Sequence, residues 1–417
     1  MERLRIINAE IFTPVGRKAV TGKNMGNIVH IPDACILVED GLIRDIVPMS
    51  EAAPAVPGES VLDAAHKAVL PGFVDSHTHL VFGGYRPDEF EWRLKGDSYM
   101  SIMQRGGGIQ STVNATRSES AENLRRKAQW FIDRMAEMGV TTVEVKSGYG
   151  LDTETELKML DVISHLAADP QQRLRIVSTF LGAHAVPAEY NGRTSDYVDL
   201  MIREMIPAAK GKAEFFDIFT EKNVFEIEDS RRLLQAARDA GFRLKLHADE
   251  IVQLGGAELA AEMGAVSADH LLHISDNGIR MLAEKGVVAN LLPLTAFALR
   301  EEYAPARRLI DAGAAVALAT DLNPGSCFSG SIPLTIALAC IYMNMSAEET
   351  ITALTLNGAA ALGLVDTTGS VEKGKSADLA ILAFDSYKSL PYYVGMNCVS
   401  KVVSRGRVVV DNDAPCA

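Results

Sequence analysis

The sequence has no apolar run that approaches the roughly 20 residues of a membrane-spanning helix. Residues 1–7 also lack the apolar core and the small-residue cleavage site of a secretion signal. The five cysteines include no CxxC pair, and their odd number is typical of reduced thiols rather than of a disulfide framework. We therefore expect a soluble, cytoplasmic protein that has no contact with a membrane.

Basic residues are too few to balance the acidic ones. The 41 lysines and arginines face 54 aspartates and glutamates, which gives a formal net charge of −13, and the basic residues form no cluster. This charge argues against nucleic acid or an anionic membrane surface as a partner. The expected partner is a small-molecule substrate, and a local arginine must bind it if it is an anion.

Strand-like runs rich in β-branched residues alternate with helical segments through the middle of the chain. With 417 residues, 47% of them apolar, the chain can bury a large core. Repeated strand–helix units predict a parallel sheet, and eight of them predict an α/β fold with a closed (β/α)8, TIM-like barrel. The predicted strands are 68–75, 140–146, 174–181, 214–220, 242–247, 264–269, 287–292 and 314–320. The predicted helices include 121–138, 153–168, 226–240, 254–263, 275–285 and 302–312.

The two chain ends read differently from the middle. Short strands and turns fill both flanks, with a hairpin signal at 39–41 and a turn at 404–407 between valine-rich runs. Neither flank has much core by itself, and chain ends often lie close together. We therefore predict that residues 1–65 and 370–417 form one small β-sandwich domain, and that residues 66–369 form the barrel.

A long connection follows the first barrel strand. Residues 80–118 exceed the usual length of a βα loop and contain Arg86, Arg93, Tyr99 and a triple glycine at 106–108. Long loops in compact domains are usually functional or disordered. On the active face of a barrel, a lid or a wall of the substrate site is the better interpretation.

Histidines and an aspartate follow several predicted strands, at the ends that meet on one face of a parallel barrel. His77 and His79 are two positions apart, a spacing at which strand side chains point to the same side. His247 and Asp321 each end a further apolar run. Three imidazoles and one carboxylate would hold one divalent or trivalent ion, zinc or iron among others. The alternatives are buried structural histidines and an Asp321 that caps the turn after it.

Two further strand-end residues suit acid–base chemistry. Glu250 lies three residues past His247, within reach of a water or a leaving nitrogen, and we assign it general acid–base work. The alternative for Glu250 is a carboxylate in the first turn of a helix, favoured by the helix dipole. His270 ends the sixth strand and would stabilise an oxyanion. The histidines that lie away from strand ends, and for which we expect no chemical role, are His30, His66 and His165.

The remaining polar groups on this face are candidate substrate ligands. In the long connection, Arg86 would bind a carboxylate by two-point hydrogen bonding, although a surface arginine is the commoner case. Tyr149 follows the second strand and His184 follows the third. The turn after Asp321 adds donors and a close backbone approach through Asn323, Gly325 and Ser326.

Several motifs resemble those of the amidohydrolase superfamily. Pro-Gly-Phe-Val-Asp-Ser-His-Thr-His at 71–79 resembles its signature, and Gly-Lys-Ser-Ala-Asp-Leu at 374–379 resembles its closing segment. The more specific motifs are Phe-Gly-Gly-Tyr-Arg at 82–86, Val-Lys-Ser-Gly-Tyr-Gly at 145–150, His-Ala-Asp-Glu at 247–250 and Thr-Asp-Leu-Asn-Pro-Gly at 320–325. The resemblance covers nearly the whole chain and implies a barrel of the metal-dependent hydrolase type.

These specific motifs are similar to those of superfamily members that open the ring of 4-imidazolone-5-propanoate in histidine degradation. The resemblance implies hydrolysis of a cyclic amide C–N bond, with N-formimidoyl-L-glutamate as product. In the implied mechanism His270 stabilises the oxyanion, Glu250 protonates the departing nitrogen, and either Glu250 or Asp321 takes the proton of the attacking water. The implied metal ligands are His77, His79, His247 and Asp321, and the implied substrate contacts are Arg86, Tyr149, His184, Glu250, Asn323, Gly325 and Ser326.

Other functions and states stay open at this point. A deaminase of a cyclic amidine such as guanine or cytosine would share the metal residues, although Arg86 favours a substrate with a carboxylate. A non-catalytic relative would typically have lost metal ligands that this chain retains. Two-metal relatives often carry a modified lysine after the fourth strand; Thr220-Glu221 stands there, which favours one metal, while Lys146 leaves a second one open. We also expect a symmetric homodimer.

Overall fold

A computed structural model of the chain describes residues 2–97, 105 and 107–413, so that Tyr99 and Gly106 of the long connection lie outside the described residues. The strands are β1 (Arg3–Thr13), β2 (Val29–Glu39), β3 (Leu42–Pro48), β4 (Ser60–Asp63), β5 (Ala68–Pro71), β6 (Phe73–Asp75), β7 (Val140–Lys146), β8 (Arg175–Ala183), β9 (Phe215–Thr220), β10 (Arg243–Ala248), β11 (Ser267–His270), β12 (Val288–Leu291), β13 (Val316–Leu318), β14 (Leu379–Leu382), β15 (Val399–Ser404) and β16 (Arg407–Asp411).

The helices are α1 (Pro87–Leu94), α2 (Ile109–Ser118), α3 (Ala121–Glu137), α4 (Thr153–Ala168), α5 (Thr194–Leu200), α6 (Ile206–Ala209), α7 (Ile227–Ala240), α8 (Gly256–Met263), α9 (Asp276–Lys285), α10 (Pro293–Leu299), α11 (Ala306–Asp311), α12 (Ile332–Tyr342), α13 (Ala347–Leu354), α14 (Leu356–Ala361) and α15 (Ser389–Tyr392). None of these described helices has the length and apolarity needed to cross a membrane.

Strands β6 to β13 form the predicted parallel barrel, and their hydrogen-bonded order is their order in the chain. The first and last of them meet beyond their carboxyl ends, where Thr78 bridges Leu322 in parallel. The His79 N–H donates to the Leu322 carbonyl at 2.9 Å, and the Asp321 N–H donates to the His77 carbonyl at 3.0 Å. The seam that closes the barrel therefore runs through three of the predicted metal ligands and fixes their backbones against one another.

One predicted strand is two strands in the structure. The run 68–75 divides at Gly72 into β5, which belongs to the sheet of the chain ends, and β6, which begins the barrel. A Cβ at Gly72 would lie 2.3 Å from the Thr141 side chain, and the Gly72 N–H donates to the Asp378 carbonyl at 2.8 Å. The single-strand prediction was wrong because the chain crosses between two sheets at a point where only glycine fits.

The two chain ends share the second sheet, in the order β16-β15-β14-β5-β1-β2-β3, with β4 parallel to β1. The predicted hairpin joins β2 to β3 through Asp40 and Gly41, both at positive φ (48° and 82°), as a tight hairpin turn requires. Apolar side chains of this sheet form a core separate from that of the barrel. The small β domain from both ends is thus present as one continuous sheet, while its limits at 65/66 and 369/370 stay a prediction.

The outer helices begin where the sequence supplies a capping side chain. Ser120, Asp152 and Ser275 precede α3, α4 and α9, and each side chain accepts a hydrogen bond from the amide three residues on. Apolar residues three and four apart, such as Leu124 and Ala128 in α3, bury one face of the helix. The six predicted helices are all present, with small differences at their ends.

Candidate active site and metal centre

The four predicted metal ligands lie together at the carboxyl end of the barrel. Ring nitrogens of His77, His79 and His247 lie within 4.8 Å of one another, and all three side chains are buried. The Asp321 Oδ1 atom lies 3.6 Å from His77 Nε2 and 3.5 Å from His79 Nε2. Spacing along the chain thus correctly indicated that these residues converge, although β6 ends at Asp75 and the two histidines follow it.

The cluster has the donor chemistry of a metal site. The Nε2 atom of His247 is buried without a hydrogen-bond partner among the described residues. A buried polar atom that lacks a partner costs about 1–3 kcal/mol, so such atoms call for a ligand. A close group of nitrogen and oxygen donors suits a borderline ion such as zinc. The residues present fit a metal ion.

Two buried aspartates orient the histidines of this cluster. His77 Nδ1 lies 2.5 Å from Asp269 Oδ2, and His247 Nδ1 lies 3.1 Å from Asp217 Oδ2. Carboxylate acceptors at Nδ1 leave the opposite ring nitrogen free for a metal. Neither aspartate was assigned a role from the sequence, although Asp269 stands next to His270 at a predicted strand end; the signal for Asp217 was a lone carboxylate in an otherwise apolar strand, Phe215-Phe216-Asp217-Ile218.

The surroundings set the protonation of the ring nitrogens. Burial, together with the cationic Lys146 and the neighbouring imidazoles, holds the pKa of His77 well below its usual range. Burial and the other imidazoles do the same for the pKa of His79. For His247, burial lowers the pKa, but the Asp217 carboxylate outweighs it and the net shift is upward.

Lys146 is a buried cation that pairs with two carboxylates. Its Nζ lies 2.7 Å from a carboxylate oxygen of Glu144 and 2.7 Å from one of Asp217. Burial acts to lower its pKa, but the carboxylates of Asp217 and Glu144 outweigh it and raise the pKa. Lys146, for which the sequence left a second metal ion open, is therefore an ammonium group paired with Glu144 and Asp217.

Asp321 is held in place by two neighbouring groups. The Thr295 hydroxyl donates to its Oδ2 at 2.6 Å, and its N–H bonds the His77 carbonyl. Its φ of 56° is unusual for a residue other than glycine, a strain that clusters at functional sites. Burial raises the pKa of Asp321 to about 6.

The turn after Asp321 is capped by Asn323, so the capping alternative for Asp321 was wrong. Asn323 Oδ1 accepts the Gly325 N–H at 2.7 Å and the Ser326 N–H at 2.8 Å. Its Nδ2 donates to the Asp321 carbonyl at 2.8 Å. Asn323 and Ser326 thus bond within the turn, and direct contact of either with a substrate stays a prediction.

Glu250 lies in the loop after β10, six residues before α8, so the first-turn alternative was wrong for this residue. The neighbouring Asp249 caps α8 instead, since its carboxylate accepts the amides of residues 254–257. Glu221 accepts the amides of Ile251 and Val252 and so fixes the loop that carries Glu250.

The Glu250 carboxyl lies close to His270. Its Oε2 is 3.5 Å from His270 Nε2, and His270 takes a φ of 77° at the end of β11. Burial, with the Asp321 carboxylate adding to it, raises the pKa of Glu250 to about 8. Burial holds the pKa of His270 well below its usual range. A carboxyl group that titrates near neutrality can both accept and donate a proton, which general acid–base work requires.

A cavity of about 540 Å³ opens over this cluster. Every predicted site residue except His77 lines it, and His77 lies beneath His79 and His247. The predicted residues on its wall are His79, Arg86, Tyr149, His184, His247, Glu250, His270, Asp321, Asn323, Gly325 and Ser326. The sequence analysis did not assign Glu89, Ile109 or Phe219, which also line the cavity.

Tyr149 and His184 stand side by side on the wall. The His184 Nδ1–H donates to the Gly148 carbonyl at 3.0 Å, and its ring stacks on that of His79 with centroids 5.0 Å apart. Burial lowers the pKa of His184 to about 3, so this imidazole is neutral. Glu156 fixes the loop, because its carboxylate accepts the amides of residues 148, 150 and 151.

Arg86 lies at the far side of the cavity, against the turn after Asp321. Its Nε donates to the Pro324 carbonyl at 3.3 Å, and its Nη1 lies 3.5 Å from Glu89 Oε2. Arg93, on α1, donates to the Gly325 carbonyl at 2.7 Å. The described part of the long connection is therefore a wall of the cavity, bound to the opposite wall by two arginines.

The sequence profile of the amidohydrolase family matches residues 68–409. This chain belongs to the amidohydrolase family. Three relatives named imidazolonepropionase share its full length. That of Phocaeicola vulgatus is 59% identical over 411 residues, 98% of this chain and 99% of that protein. That of Bacteroides thetaiotaomicron is 59% identical, covering 97% and 98%, and that of Clostridium tetani is 53% identical, covering 96% and 96%. The resemblance read from the motifs is confirmed.

Solved structures of three deaminases share the fold. The 5-methylcytosine deaminase of Klebsiella pneumoniae superposes with a TM-score of 0.74 at 19% identity, covering 99% of both chains. Guanine deaminase of E. coli gives 0.71 at 16% identity, covering 99% and 100%. An adenosine deaminase of Xanthomonas campestris with bound zinc gives 0.70 at 20% identity, covering 97% and 92%. At such identities the likeness concerns the fold alone.

In this amidohydrolase, adding a methyl group at Gly325 is expected to weaken substrate binding. A Cβ there would lie 2.0 Å from Arg86 Nη2, so a Gly325→Ala variant must displace the guanidinium from the cavity wall. We expect KM to rise with a smaller change in kcat, measured by steady-state kinetics. Gly26→Ala is the matched control, because a Cβ at Gly26 meets no atom within 4 Å. Equal kinetics for the two variants would contradict the placement of Arg86.

Proposed function

We propose that this amidohydrolase is an imidazolonepropionase, which hydrolyses 4-imidazolone-5-propanoate to N-formimidoyl-L-glutamate in histidine degradation. The observation that carries the proposal is a single cavity with a histidine–aspartate cluster at its base and Arg86 on its wall. Such a cavity suits a small ring that bears a carboxylate. The names of full-length relatives at 53–59% identity support the same substrate.

We propose His77, His79, His247 and Asp321 as ligands of one ion, zinc or iron. When bound, such an ion would polarise the ring carbonyl and supply an activated water. The bound zinc of the adenosine deaminase that shares this fold supports zinc as the first ion to test. The ammonium group of Lys146 supports a single ion, since its pairing with Glu144 and Asp217 leaves this amine unavailable to bridge two.

Glu250 is the proposed proton carrier of the reaction. Water adds to the ring carbonyl carbon, the carbon–nitrogen bond breaks, and the departing nitrogen needs the proton that the water loses. Among the described residues, the close contact given for the Glu250 carboxyl is with His270 Nε2 at 3.5 Å, whereas both oxygens of Asp321 are engaged by Thr295 and the histidine cluster. Glu250 is therefore the better base and then the acid, and His270 beside it stabilises the oxyanion.

Arg86 is the proposed ligand of the propanoate group. Its guanidinium can offer two parallel N–H donors to a carboxylate. Tyr149 and the neutral His184 would orient the ring between Arg86 and the cluster, and the turn at 323–326 would close the cavity on that side through Asn323, Gly325 and Ser326.

Replacing Arg86 with glutamine is expected to raise KM by about 10–150-fold, since a hydrogen bond to a charged group contributes about 1.5–3 kcal/mol. The measurement compares inhibition by 3-(imidazol-4-yl)propanoate with inhibition by its uncharged amide. Loss of the preference for the acid in Arg86→Gln, and its retention in a variant of the exposed Arg193, would place the carboxylate at Arg86. An unchanged preference would exclude this contact.

The deciding experiment is turnover of freshly prepared 4-imidazolone-5-propanoate by metal-loaded protein, followed by loss of its ultraviolet absorbance and by identification of the product. N-formimidoyl-L-glutamate is the expected product. No turnover by protein shown to contain metal would reject this substrate, and release of ammonia from guanine or cytosine would then support a deaminase.

We keep a homodimer and a cytoplasmic location as proposals. Acidic surface charge and the small cavity support a small-molecule partner. Sedimentation velocity would test the dimer directly.

A further inference from the structure

Two lysines lie inside the barrel, beneath the histidine cluster. Lys146 ends β7 and Lys245 lies in β10, and neither side chain is exposed to solvent. Lysines are almost never fully buried unless they are paired, because removal of an ammonium group from water costs several kcal/mol. The residues that pair with Lys146 and Lys245 therefore indicate the role of these two lysines.

Lys146 and His247 both contact the carboxylate of Asp217. Its Nζ donates to Asp217 Oδ2 at 2.7 Å, and the same carboxylate lies 3.1–3.2 Å from His247 Nδ1. The Asp217 carboxylate thus has a cation on one side and an imidazole N–H on the other. This leaves the buried Nε2 of His247 facing the cluster without a partner.

Lys245 and His77 both lie near the carboxylate of Asp269. Its Nζ lies 3.8 Å from Asp269 Oδ2, and that oxygen lies 2.5 Å from His77 Nδ1. The same ammonium donates to the carbonyl of Ser76 at 3.0 Å, directly before His77 in the chain. Asp269 is further held by the Ser267 hydroxyl at 2.6 Å and by Asn290 Nδ2 at 3.2 Å.

Glu144 contacts both lysines. Its carboxylate lies 2.7 Å from Lys146 Nζ and 3.3 Å from Lys245 Nζ. This contact network thus contains three carboxylates, Glu144, Asp217 and Asp269, and two ammonium groups. Removal of either lysine would leave buried carboxylates repelling one another next to a histidine, and Asp217 or Asp269 would move to relieve the repulsion.

We propose that Lys146 and Lys245 are positioning residues of the metal centre: each holds an aspartate that orients one metal-binding histidine. The proposal rests on the metal role proposed above for His77 and His247. Loss of an outer partner of a metal-binding histidine typically weakens metal binding by about 10–100-fold. Neither lysine is among the residues that line the cavity, so their effect must appear in metal affinity first.

The chain offers a matched control. Lys375 is equally buried, but it lies in the domain of the chain ends, where its Nζ donates to the Gly16 carbonyl at 2.8 Å and to the Ser370 hydroxyl at 2.6 Å. Lys375→Met removes a buried lysine of the same kind without disturbing the histidines. Lys146→Met and Lys375→Met are both expected to lower the unfolding temperature, but only Lys146→Met is expected to change the affinity for the metal ion.

The experiment measures affinity of the full-length protein for Zn²⁺ by competition with a chromogenic chelator. We expect Lys146→Met to bind Zn²⁺ about 10–100-fold more weakly, Lys146→Arg to recover part of that loss because it retains the cation, and Lys375→Met to match the unmodified protein. Unchanged affinity in Lys146→Met, or an equal loss in Lys375→Met, would overturn the proposal.

A second variant covers the case in which Lys146→Met fails to fold. Asp217→Asn has nearly the same size and keeps an acceptor oxygen, but it lacks the charge that pairs with the Lys146 ammonium, and a loss of Zn²⁺ affinity is again expected. Unchanged affinity in this variant would overturn the proposal. If the unmodified protein bound no Zn²⁺, Fe²⁺ or other divalent ion, the metal assignment itself would fall, and the positioning role would fall with it.

Discussion

A Glu250→Gln variant is expected to lose about 10²–10⁴-fold in kcat, the usual contribution of a general acid–base group. The amide has nearly the shape of the carboxyl but can neither accept nor donate the proton that passes from the water to the departing nitrogen. The carboxyl lies on the cavity wall, 3.5 Å from His270, and is not a member of the metal cluster. Metal content and unfolding temperature should therefore stay unchanged, and KM should change little.

The control for this variant is Glu228→Gln, which alters an exposed glutamate on α7 and should have full activity. Metal analysis of each preparation separates a loss of chemistry from a loss of the ion. A Glu250→Gln protein that keeps both its metal and its turnover would remove Glu250 from the mechanism and leave Asp321 as the candidate base.

Removal of the metal is expected to abolish turnover and to lower the unfolding temperature. Dialysis against a chelator would leave Nε2 of His247 buried without a partner, and an ion that binds only the folded chain stabilises it by mass action. At a free ion concentration 100 times the Kd, this stabilisation is about 2.7 kcal/mol. Turnover and unfolding temperature should both recover when Zn²⁺ or Fe²⁺ is added back.

A pair of histidine variants localises the effect. His77→Ala should fail to regain metal and activity, because it removes a cluster member that Asp269 holds at 2.5 Å. His165→Ala, an exposed histidine on α4 that bonds only its own helix, should behave as the unmodified protein. Full turnover by protein shown to be metal-free would contradict the metal-dependent mechanism.

The interior charges show where sequence reasoning was incomplete. Glu144 and Lys146 alternate with apolar residues in β7, and Asp217 and Lys245 do so in β9 and β10. Alternation indicates which residues share a side of a strand, but it does not distinguish the inside of a barrel from its outside. Lys146 and Asp217 are 71 positions apart in the chain, so their pairing exists only after the barrel has closed.

The capping residues show the same limit of sequence reasoning within single loops. Asp321 and Glu250 each had a local structural alternative, and in each case an adjacent residue has that structural role. Asn323 caps the turn after β13, and Asp249 caps α8. Sequence alone could not divide the roles between neighbours, because the choice depends on backbone directions at the strand ends, including the positive φ of Asp249 and Asp321.

By itself the sequence determined the alternation of strands and helices, the joining of the two chain ends in a second sheet, and the strand-end residues that line the cavity. Periodicity, turn residues and motif spacing are local properties, so they can be read before the chain folds. Only the tertiary structure decided that the run 68–75 divides at Gly72 and that the barrel closes through His77, His79 and Asp321. It also decided which buried aspartate faces which histidine, because these are contacts between residues far apart in the chain.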